Sequence, residues 1–141
     1  MEFIYERKIN YYETDRMGVV HHSNYIRFLE EARCAHLEAI GMPYAKLEEQ
    51  GLMIPVLNVN CNYKYHVTFN DTLVIKLNIT EFTGVKMVVN YTLTNKETGD
   101  LIMTAETKHA MTDTNLKPVN TKKHFPEIYE KFNSVVVKNK E

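Results

Sequence analysis

The chain has 141 residues, of which 44% are hydrophobic and 25% are charged. This composition predicts one folded globular domain and excludes a disordered chain, a collagen-like repeat and a disulfide-dense mini-protein. Seventeen basic and eighteen acidic residues give a net charge of -1, so the overall charge offers no attraction to nucleic acid or to an anionic membrane.

The N-terminal residues mix charged and apolar side chains, so they lack the uninterrupted apolar segment of a signal peptide or a membrane span. We therefore expect a cytoplasmic protein. Its two cysteines, Cys34 and Cys61, have neither the spacing of a zinc site nor the density of a disulfide framework. Both are expected to be buried, reduced thiols.

Residues 3–12 alternate between apolar and polar side chains, which predicts a strand. Arg7 interrupts the apolar side of this strand, which otherwise consists of Phe3, Tyr5, Ile9 and Tyr11.

A helical pattern runs from Tyr25 to Ile40, with apolar residues three or four positions apart. Ser23 or Asn24 is a candidate N-cap, and Gly41 is placed to end the helix. A shorter helix is predicted over residues 44–50, between a proline and a glycine.

Four further runs with a period of two predict strands, and three short polar or glycine-containing links separate them. Their apolar sides are Val59, Cys61, Tyr63 and Tyr65; then Leu73, Ile75, Leu77 and Ile79; then Val85, Met87, Val89, Tyr91 and Leu93; and finally Leu101, Met103, Ala105 and Thr107. An amphipathic helix is predicted over residues 122–132, and residues 134–141 are expected to form a weakly ordered tail.

The predicted order is a strand, a long helix and then an antiparallel meander, which predicts an α+β fold. One sheet with an apolar face and one long apolar-faced helix bury both surfaces if the sheet wraps around the helix. The long strands leave open sheet edges, so pairing between two copies of the chain is expected.

Functional side chains concentrate in the connection between the first strand and the long helix, where Asp15 and Gly18 precede the helix start. A helix start offers unpaired N–H groups and a positive dipole, which stabilise negative charge on a carbonyl oxygen. A carboxylate and such N–H groups suffice for acyl transfer. From the residues alone, Asp15 is equally a residue that caps a turn.

His21 and His22 are adjacent and therefore do not form a metal-binding pair on one helix face. His22 is placed either to orient a substrate or to make a local hydrogen bond. The only serines are Ser23 and Ser134, and neither lies in a G-x-S-x-G elbow. Dinucleotide-binding and P-loop glycine motifs are also missing.

The segment that joins Asp15, Gly18, His22, Asn24 and Tyr25 is followed by Phe-Leu-Glu-Glu-Ala-Arg. It closely resembles the active-site segment of hotdog-fold acyl-CoA thioesterases of the 4-hydroxybenzoyl-CoA thioesterase and YbgC-like family. The resemblance implies a single hotdog domain over residues 1–133, with the sheet wrapped around one central helix. It also implies hydrolysis of acyl-CoA, without a metal or other cofactor, in a homodimer or homotetramer whose sites lie between subunits.

The same resemblance implies that Asp15 is the catalytic carboxylate, acting as the nucleophile or as the general base. It implies that the N–H of His22 polarises the thioester carbonyl and that the side chains of His22 and Tyr11 assist. Candidates for the CoA phosphates are Lys117, Lys122 and Lys123, which are otherwise ordinary solvated lysines. Two alternatives remain: hydrolysis of acyl groups on an acyl carrier protein, and a non-catalytic module that binds acyl-CoA as a sensor.

Overall fold

The computed structural model describes residues 2–137. The helices are a short 3₁₀ helix (Tyr11–Glu13), α1 (Ser23–Ala39), α2 (Tyr44–Glu49), α3 (Thr121–His124) and α4 (Pro126–Ser134). The strands are β1 (Phe3–Lys8), β2 (Val56–Tyr63), β3 (Thr72–Phe82), β4 (Lys86–Asn95) and β5 (Leu101–Ala110). Within residues 2–137, no helix is long and apolar enough to cross a membrane.

The strands form one antiparallel sheet in the order β1-β3-β4-β5-β2. The α+β architecture that the element order predicts is therefore confirmed. Strands β1 and β2 are the two edges of the sheet in the described part of the chain, and each pairs with a strand that is distant in sequence.

The core lies between α1 and the inner face of the sheet. Helix α1 contributes Phe28, Leu29 and Ala32, which are at most 1% exposed. Val85 precedes β4 and is only half-buried, but the other inner residues predicted for β3 and β4 are confirmed as core; they are Leu73, Ile75, Leu77, Ile79, Met87, Val89, Tyr91 and Leu93. Gly41 follows α1 with a φ of 80°, a left-handed conformation that glycine adopts without strain.

The prediction for the start of β5 is wrong at Leu101, which is 41% exposed, whereas its neighbour Ile102 is fully buried. The β4–β5 register shifts between Leu93, which pairs with Met103, and Thr94, which pairs with Leu101. This irregularity adds one residue to β5 and reverses the direction of the side chains before it. A strict period of two could not show the extra residue.

The first strand ends at Lys8, so the prediction that it continues to residue 12 is wrong. A 3₁₀ turn over Tyr11–Glu13 replaces the last residues, because the carboxylate of Glu13 accepts the N–H of Asn10 at 2.8 Å. Arg7 faces inward because Glu13 and Glu31 pair with it.

The single C-terminal helix predicted over residues 122–132 is two helices, α3 and α4, which meet at Phe125 and Pro126. Proline has no N–H and fixes its own φ, so it begins α4 and does not continue α3. Of the tail predicted over residues 134–141, residues 138–141 lie outside the described residues. Ser134 ends α4, and the N–H of Val137 donates to the carbonyl of Ile79 at 2.8 Å.

Candidate active site

Asp15 begins a tight hairpin that precedes α1. Its N–H donates to the carbonyl of Val19 at 2.8 Å, and the N–H of Gly18 donates to the carbonyl of Asp15 at 3.0 Å. Gly18 has a φ of 79°, as the third residue of a three-residue hairpin loop requires. The N–H of Val20 donates to the carbonyl of Val67 at 2.9 Å, which connects this hairpin to the segment before β3.

The carboxylate of Asp15 is half-buried and held by the turn that it starts. Its Oδ1 accepts the N–H of Met17 at 2.8 Å, which is the local hydrogen bond that aspartate makes in such turns. Oδ2 has no hydrogen-bond donor among residues 2–137. The geometry is therefore compatible with both roles that the sequence allows for Asp15. One carboxylate oxygen caps the turn, and the other is available to act as the catalytic group.

The backbone of Glu13 joins the hairpin to the helix start. Its carbonyl accepts the N–H of His21 at 3.0 Å and the side-chain amide of Asn24 at 2.9 Å. The expectation that Ser23 or Asn24 caps α1 is wrong, because Asn24 is used in this contact and the Ser23 hydroxyl lies 2.8 Å from Nδ1 of His21. His22 occupies the N-cap position without a side-chain cap.

The N–H of His22 has no hydrogen-bond acceptor in the described part of the chain. It lies at the positive end of the α1 dipole, where an unpaired N–H is able to bind an oxyanion. The backbone therefore carries the unpartnered carboxylate oxygen of Asp15 and the unpartnered N–H of His22 on one hairpin-and-helix unit. No hydrogen bond or ion pair joins the side chains of Asp15 and His22 in the described structure.

The imidazole of His22 stacks on that of His21, with ring centres 4.3 Å apart. Its other neighbour is Tyr63 at the end of β2, whose ring centre is 6.4 Å away and whose hydroxyl donates to the His22 carbonyl at 3.4 Å. The ring of Tyr25 lies 5.4 Å from that of Tyr63, and burial raises the pKa of Tyr25 to about 12. Sequence reasoning missed Tyr63 because its pattern predicted only a strand.

Tyr11 is not brought against Asp15 or His22 by any contact within residues 2–137. Its ring is 75% exposed and packs edge-on against Phe69, with ring centres 5.6 Å apart. Its carbonyl accepts the N–H and the hydroxyl of Thr14. Tyr11 therefore helps to shape the backbone before Asp15, and its hydroxyl stands on the surface.

A separate cavity of about 290 Å³ lies between the C-terminal half of α1 and the sheet. Its apolar lining comes from α1, β3, β4, α4 and the segment that leads into β2, and its polar lining consists of Glu30, Arg33, His36, Tyr44 and His109. Cys34 also lines it and is exposed, so the expectation of a buried thiol is wrong there, whereas Cys61 is half-buried.

A chain of hydrogen bonds runs behind this cavity. Arg33 Nη1 donates to the Tyr91 hydroxyl at 3.1 Å, that hydroxyl lies 2.6 Å from the Thr107 hydroxyl, and Thr107 lies 2.8 Å from Nε2 of His109. Sequence reasoning did not identify His109 as part of a candidate site. The sequence did contain one indication of a polar site: Thr107 and His109 are polar residues at successive inward positions of β5.

The three candidate phosphate-binding lysines are all exposed. Lys117 lies in the loop after β5, and the Nζ of Lys122 lies 5.9 Å from the centre of the Tyr129 ring. Among the residues that the structure describes, no hydrogen bond or ion pair joins Lys117, Lys122 or Lys123 to the hairpin. Within residues 2–137, no group of three or more His, Cys, Asp or Glu side chains is placed to hold a metal ion.

Comparison with known proteins gives consistent matches. A family model described as the thioesterase-like superfamily matches residues 9–132. A provisionally named esterase of Aquifex aeolicus is 39% identical over 111 residues, which are 79% of this chain and 85% of that protein. YneP of Bacillus subtilis, provisionally named an acyl-CoA thioesterase, is 34% identical over 130 residues, 89% of this chain and 94% of that protein. The structure of DHNA-CoA thioesterase from Staphylococcus aureus matches with a TM-score of 0.89 and 31% identity, covering 95% of this chain and 90% of that one.

Proposed function

Because the chain belongs to the thioesterase-like superfamily, we propose that it hydrolyses acyl-CoA thioesters to a free carboxylic acid and CoA. The hotdog fold expected from the resemblance is confirmed by the same family match and by the structural similarity to a thioesterase. The observation that carries the proposal is that the hairpin and the start of α1 together present an Asp15 carboxylate oxygen without a donor and a His22 N–H without an acceptor among residues 2–137.

In this proposal the N–H of His22 donates to the thioester carbonyl oxygen, whose negative charge grows as the carbonyl carbon becomes tetrahedral. The dipole of α1 stabilises the same charge. Removal of one such donor lowers turnover by about 100-fold to 1,000-fold in other enzymes. This step uses only the backbone at position 22.

Asp15 then acts in one of two ways. As a general base, its carboxylate takes a proton from a water whose oxygen attacks the carbonyl carbon; the C–S bond breaks, and the proton passes to the departing CoA sulfur. As a nucleophile, a carboxylate oxygen attacks the carbon and forms an anhydride as CoA leaves with a proton from solvent, and water then cleaves the anhydride.

A single turnover in ¹⁸O-labelled water distinguishes these routes. General-base catalysis places the label only in the released acid. Attack by Asp15, followed by water attack on the aspartyl carbon, places it in the protein, where mass spectrometry of the peptide that contains Asp15 detects it. If water instead attacks the acyl carbon of the anhydride, the label enters the released acid, as it does in general-base catalysis. Trapping the anhydride with hydroxylamine distinguishes these two cases.

The exposed edge of β2 supports a homodimer as the working form. Val56, Leu57 and Tyr63 are 44%, 59% and 49% exposed on this strand, and within residues 2–137 β5 alone pairs with it. An unpaired edge with exposed apolar side chains favours pairing with a second copy, and a two-fold axis closes that assembly. We propose that the two β2 strands pair antiparallel in a homodimer, and a homotetramer would join two such dimers through a second surface.

Release of free thiol from a panel of acyl-CoAs, from short aliphatic to long-chain and aromatic, tests the proposed activity. The same acyl groups on an acyl carrier protein test the alternative carrier. Binding of acyl-CoA without thiol release would favour the sensor module and overturn the hydrolase. The roles of Tyr11, of the imidazole of His22 and of Lys117, Lys122 and Lys123, and the cytoplasmic location, stay predictions.

A further inference from the structure

The backbone N–H groups from His22 to Tyr25, at the start of α1, are almost all used within the described part of the chain. The N–H of Ser23 donates to Nδ1 of His21 at 3.2 Å, and the N–H of Asn24 donates to the carbonyl of His21 at 3.0 Å. The N–H of Tyr25 donates to the carbonyl of His22 at 3.3 Å. A helix start usually leaves several N–H groups unpaired. Here, among residues 2–137, the N–H of His22 is the one of these four that is left for a ligand.

The direction of this N–H follows from the peptide group to which it belongs. The carbonyl of His21 and the N–H of His22 lie across one trans peptide bond, so they point in opposite directions. The carbonyl of His21 accepts from Asn24, which lies further along α1. The N–H of His22 is therefore directed away from the body of the helix, and this direction does not depend on the side chain at position 22.

The carbonyl of Glu13 fixes the same peptide group relative to the hairpin. It accepts the N–H of His21 at 3.0 Å and the side-chain amide of Asn24 at 2.9 Å. Asn24 thus makes two hydrogen bonds, one from its backbone to the peptide group that carries the His22 N–H and one from its side chain to Glu13. Removing the side chain leaves the backbone bonds of α1 in place, but it frees the first turn to move relative to Glu13.

Glu13 is itself held by its side chain. Its carboxylate is 6% exposed, lies 2.5 Å from Nη1 of Arg7 and accepts the N–H of Asn10 at 2.8 Å. Asp15 follows Glu13 by two residues. Glu13 therefore sets the position of both groups in the proposed reaction: that of Asp15 through the chain, and that of the His22 N–H through its carbonyl.

We propose that Asn24 is a positioning residue, which directs the N–H of His22 at the thioester oxygen through its hydrogen bond to the Glu13 carbonyl, and that the Glu13 carboxylate holds this carbonyl in place. The inference rests on the proposed hydrolysis. Neither side chain touches the reacting atoms in it. Stabilisation by an oxyanion donor depends on where the donor stands relative to the developing charge, so a displaced N–H lowers turnover although the N–H itself is still present.

Substitution of Asn24 tests this role by kinetics. Asn24→Ala should lower kcat by about tenfold to 100-fold, which is less than the loss of the donor itself. KM should change less than about threefold, because the lost interaction belongs mainly to the transition state. Asn24→Gln keeps an amide donor on a side chain one methylene longer and should recover part of the loss.

Asn24→Asp separates the hydrogen bond from helix stability. Aspartate keeps the shape of asparagine, and its charge is favourable in the first turn of a helix. A carboxylate cannot donate to the Glu13 carbonyl, so this variant should stay folded and turn over at least as slowly as Asn24→Ala. If Asn24→Ala does not fold, Asn24→Asp takes its place in every measurement.

Asn90 provides a matched control. It is half-buried like Asn24, and its side-chain amide donates to the Thr80 hydroxyl at 2.6 Å on the outer face of the sheet. Asn90→Ala therefore loses a comparable hydrogen bond far along the chain from the hairpin, and it should keep the wild-type kcat. Thermal unfolding of each variant shows that it is folded.

Infrared spectroscopy measures the polarisation of the bound carbonyl, which a purely structural role of Asn24 would not change. The probes are acetonyl-CoA and phenacyl-CoA, ketones in which a methylene group separates the carbonyl from sulfur, so they contain no thioester to cleave. The difference between spectra of the ¹²C and ¹³C carbonyl forms isolates the band of the bound probe. A donated N–H weakens the C=O bond, so this band should lie at lower wavenumber in the wild-type complex than in the free probe.

The variants should change this band in the same order as kcat. In Asn24→Ala and Asn24→Asp it should move back towards the position of the free probe, whereas Asn24→Gln should keep part of the shift. In Asn90→Ala it should keep the wild-type position.

The role of the Glu13 side chain is tested by the same two measurements. Glu13→Gln keeps an oxygen for the N–H of Asn10, whereas Glu13→Ala removes it, and Arg7 keeps Glu31 as its partner in both variants. Both the shift of the band and kcat should decrease from wild type to Glu13→Gln to Glu13→Ala. Wild-type values in Glu13→Ala would show that the carboxylate does not hold the carbonyl in place.

The outcomes separate this inference from the proposed function. If the wild type releases thiol from no acyl-CoA, the proposed hydrolysis is wrong. If it hydrolyses thioesters but the bound probe shows the band of the free probe, the N–H of His22 does not polarise the carbonyl, and positioning by Asn24 is wrong. If the wild-type band is shifted but Asn24→Ala leaves either the band or kcat at its wild-type value, positioning by Asn24 is wrong while the hydrolysis stands.

Discussion

Arg7 Nη1 lies 2.5 Å from Oε1 of Glu13, and the two side chains are only 12% and 6% exposed. Arg7 also bonds Glu31 on α1 at 2.7 Å, and its guanidinium carbon lies 4.2 Å from the centre of the Phe28 ring. The residue that interrupted the apolar side of the first strand is therefore the cation that joins β1, the 3₁₀ turn and α1 beneath the hairpin of Asp15.

Arg7→Met should lower the free energy of unfolding by about 3 kcal/mol, since it leaves the buried carboxylate of Glu13 without its cation. Lys96→Met breaks the exposed pair between Lys96 and Glu6, whose atoms lie 3.1 Å apart, and should cost less than about 1 kcal/mol. Urea unfolding of both variants makes the comparison. Equal losses would contradict a stabilising role for the buried pair.

Asp15→Asn should reduce turnover at least about 100-fold, because an amide neither accepts the proton nor attacks the thioester. Asparagine keeps an oxygen for the N–H of Met17, so the hairpin should stay folded. Asp113→Asn is a matched control, since Oδ1 of Asp113 also accepts backbone N–H groups in a turn, from Asn115 at 2.8 Å and from Lys117 at 3.0 Å. Steady-state thiol release decides the result, and more than a tenth of the wild-type rate in Asp15→Asn would exclude Asp15 as the catalytic group.

His22→Ala keeps the backbone N–H and should therefore lower turnover less than Asp15→Asn does. Loss of an oxyanion donor itself costs about 100-fold to 1,000-fold. Rates of the two variants on the best substrate give the answer. An equal loss of turnover in the two variants would show that the imidazole participates directly, for example by orienting the attacking water.

The smallest stable species in solution should be a homodimer, and Leu57→Lys should weaken it by placing a charge on the exposed edge of β2. Sedimentation at micromolar concentration measures both proteins. A folded, active wild-type monomer near 16.5 kDa would contradict the proposed edge pairing. Ile4→Lys, on the exposed side of the opposite edge strand β1, is the control that should leave the association unchanged.

Acid should destabilise the fold partly through His109. Burial, with a smaller effect from the charge of Arg33, lowers the pKa of His109 to about 4, whereas the unfolded chain takes up this proton near pH 6.5. Stability from His109 is therefore complete above about pH 6.5 and is lost as the pH falls towards 4, by about 3 kcal/mol in total.

Unfolding in urea at about pH 7 and about pH 4.5 measures this effect, which His109→Gln should reduce by about 2 kcal/mol. His36 is the comparison, because burial also lowers its pKa and its ring stacks on Phe3 at 4.8 Å. An unchanged pH dependence in His109→Gln would show that folding does not lower the pKa of His109.

The sequence predicted the features that repeat locally. Alternation identified the inner faces of β3 and β4, and the spacing of apolar residues together with Gly41 identified α1. It failed where a single residue breaks the repeat, as at Ile102 and Pro126. Arg7 was unexplained because its partners, Glu13 and Glu31, come from other elements.

The candidate site was likewise predictable where its residues are close in sequence and not where they are distant. The segment from Asp15 to Tyr25 is continuous, so its motif was visible in the sequence, although the hairpin that it forms was not predicted. The chain from Arg33 through Tyr91 and Thr107 to His109 joins residues from three elements. Only the tertiary structure reveals that these side chains meet, although two inward polar residues on β5 gave a partial signal.

The order of strands in the sheet has a consequence for how the protein folds. The β3–β4–β5 meander is joined by short turns, whereas Phe3 must find Leu77 and Val59 must find Thr107 across long intervening segments. Closing long loops costs chain entropy before any contact compensates, so both edges should join the sheet after the meander has formed. The same edges should open first in the native protein, and amide hydrogens of β2 should exchange with solvent sooner than those of β4.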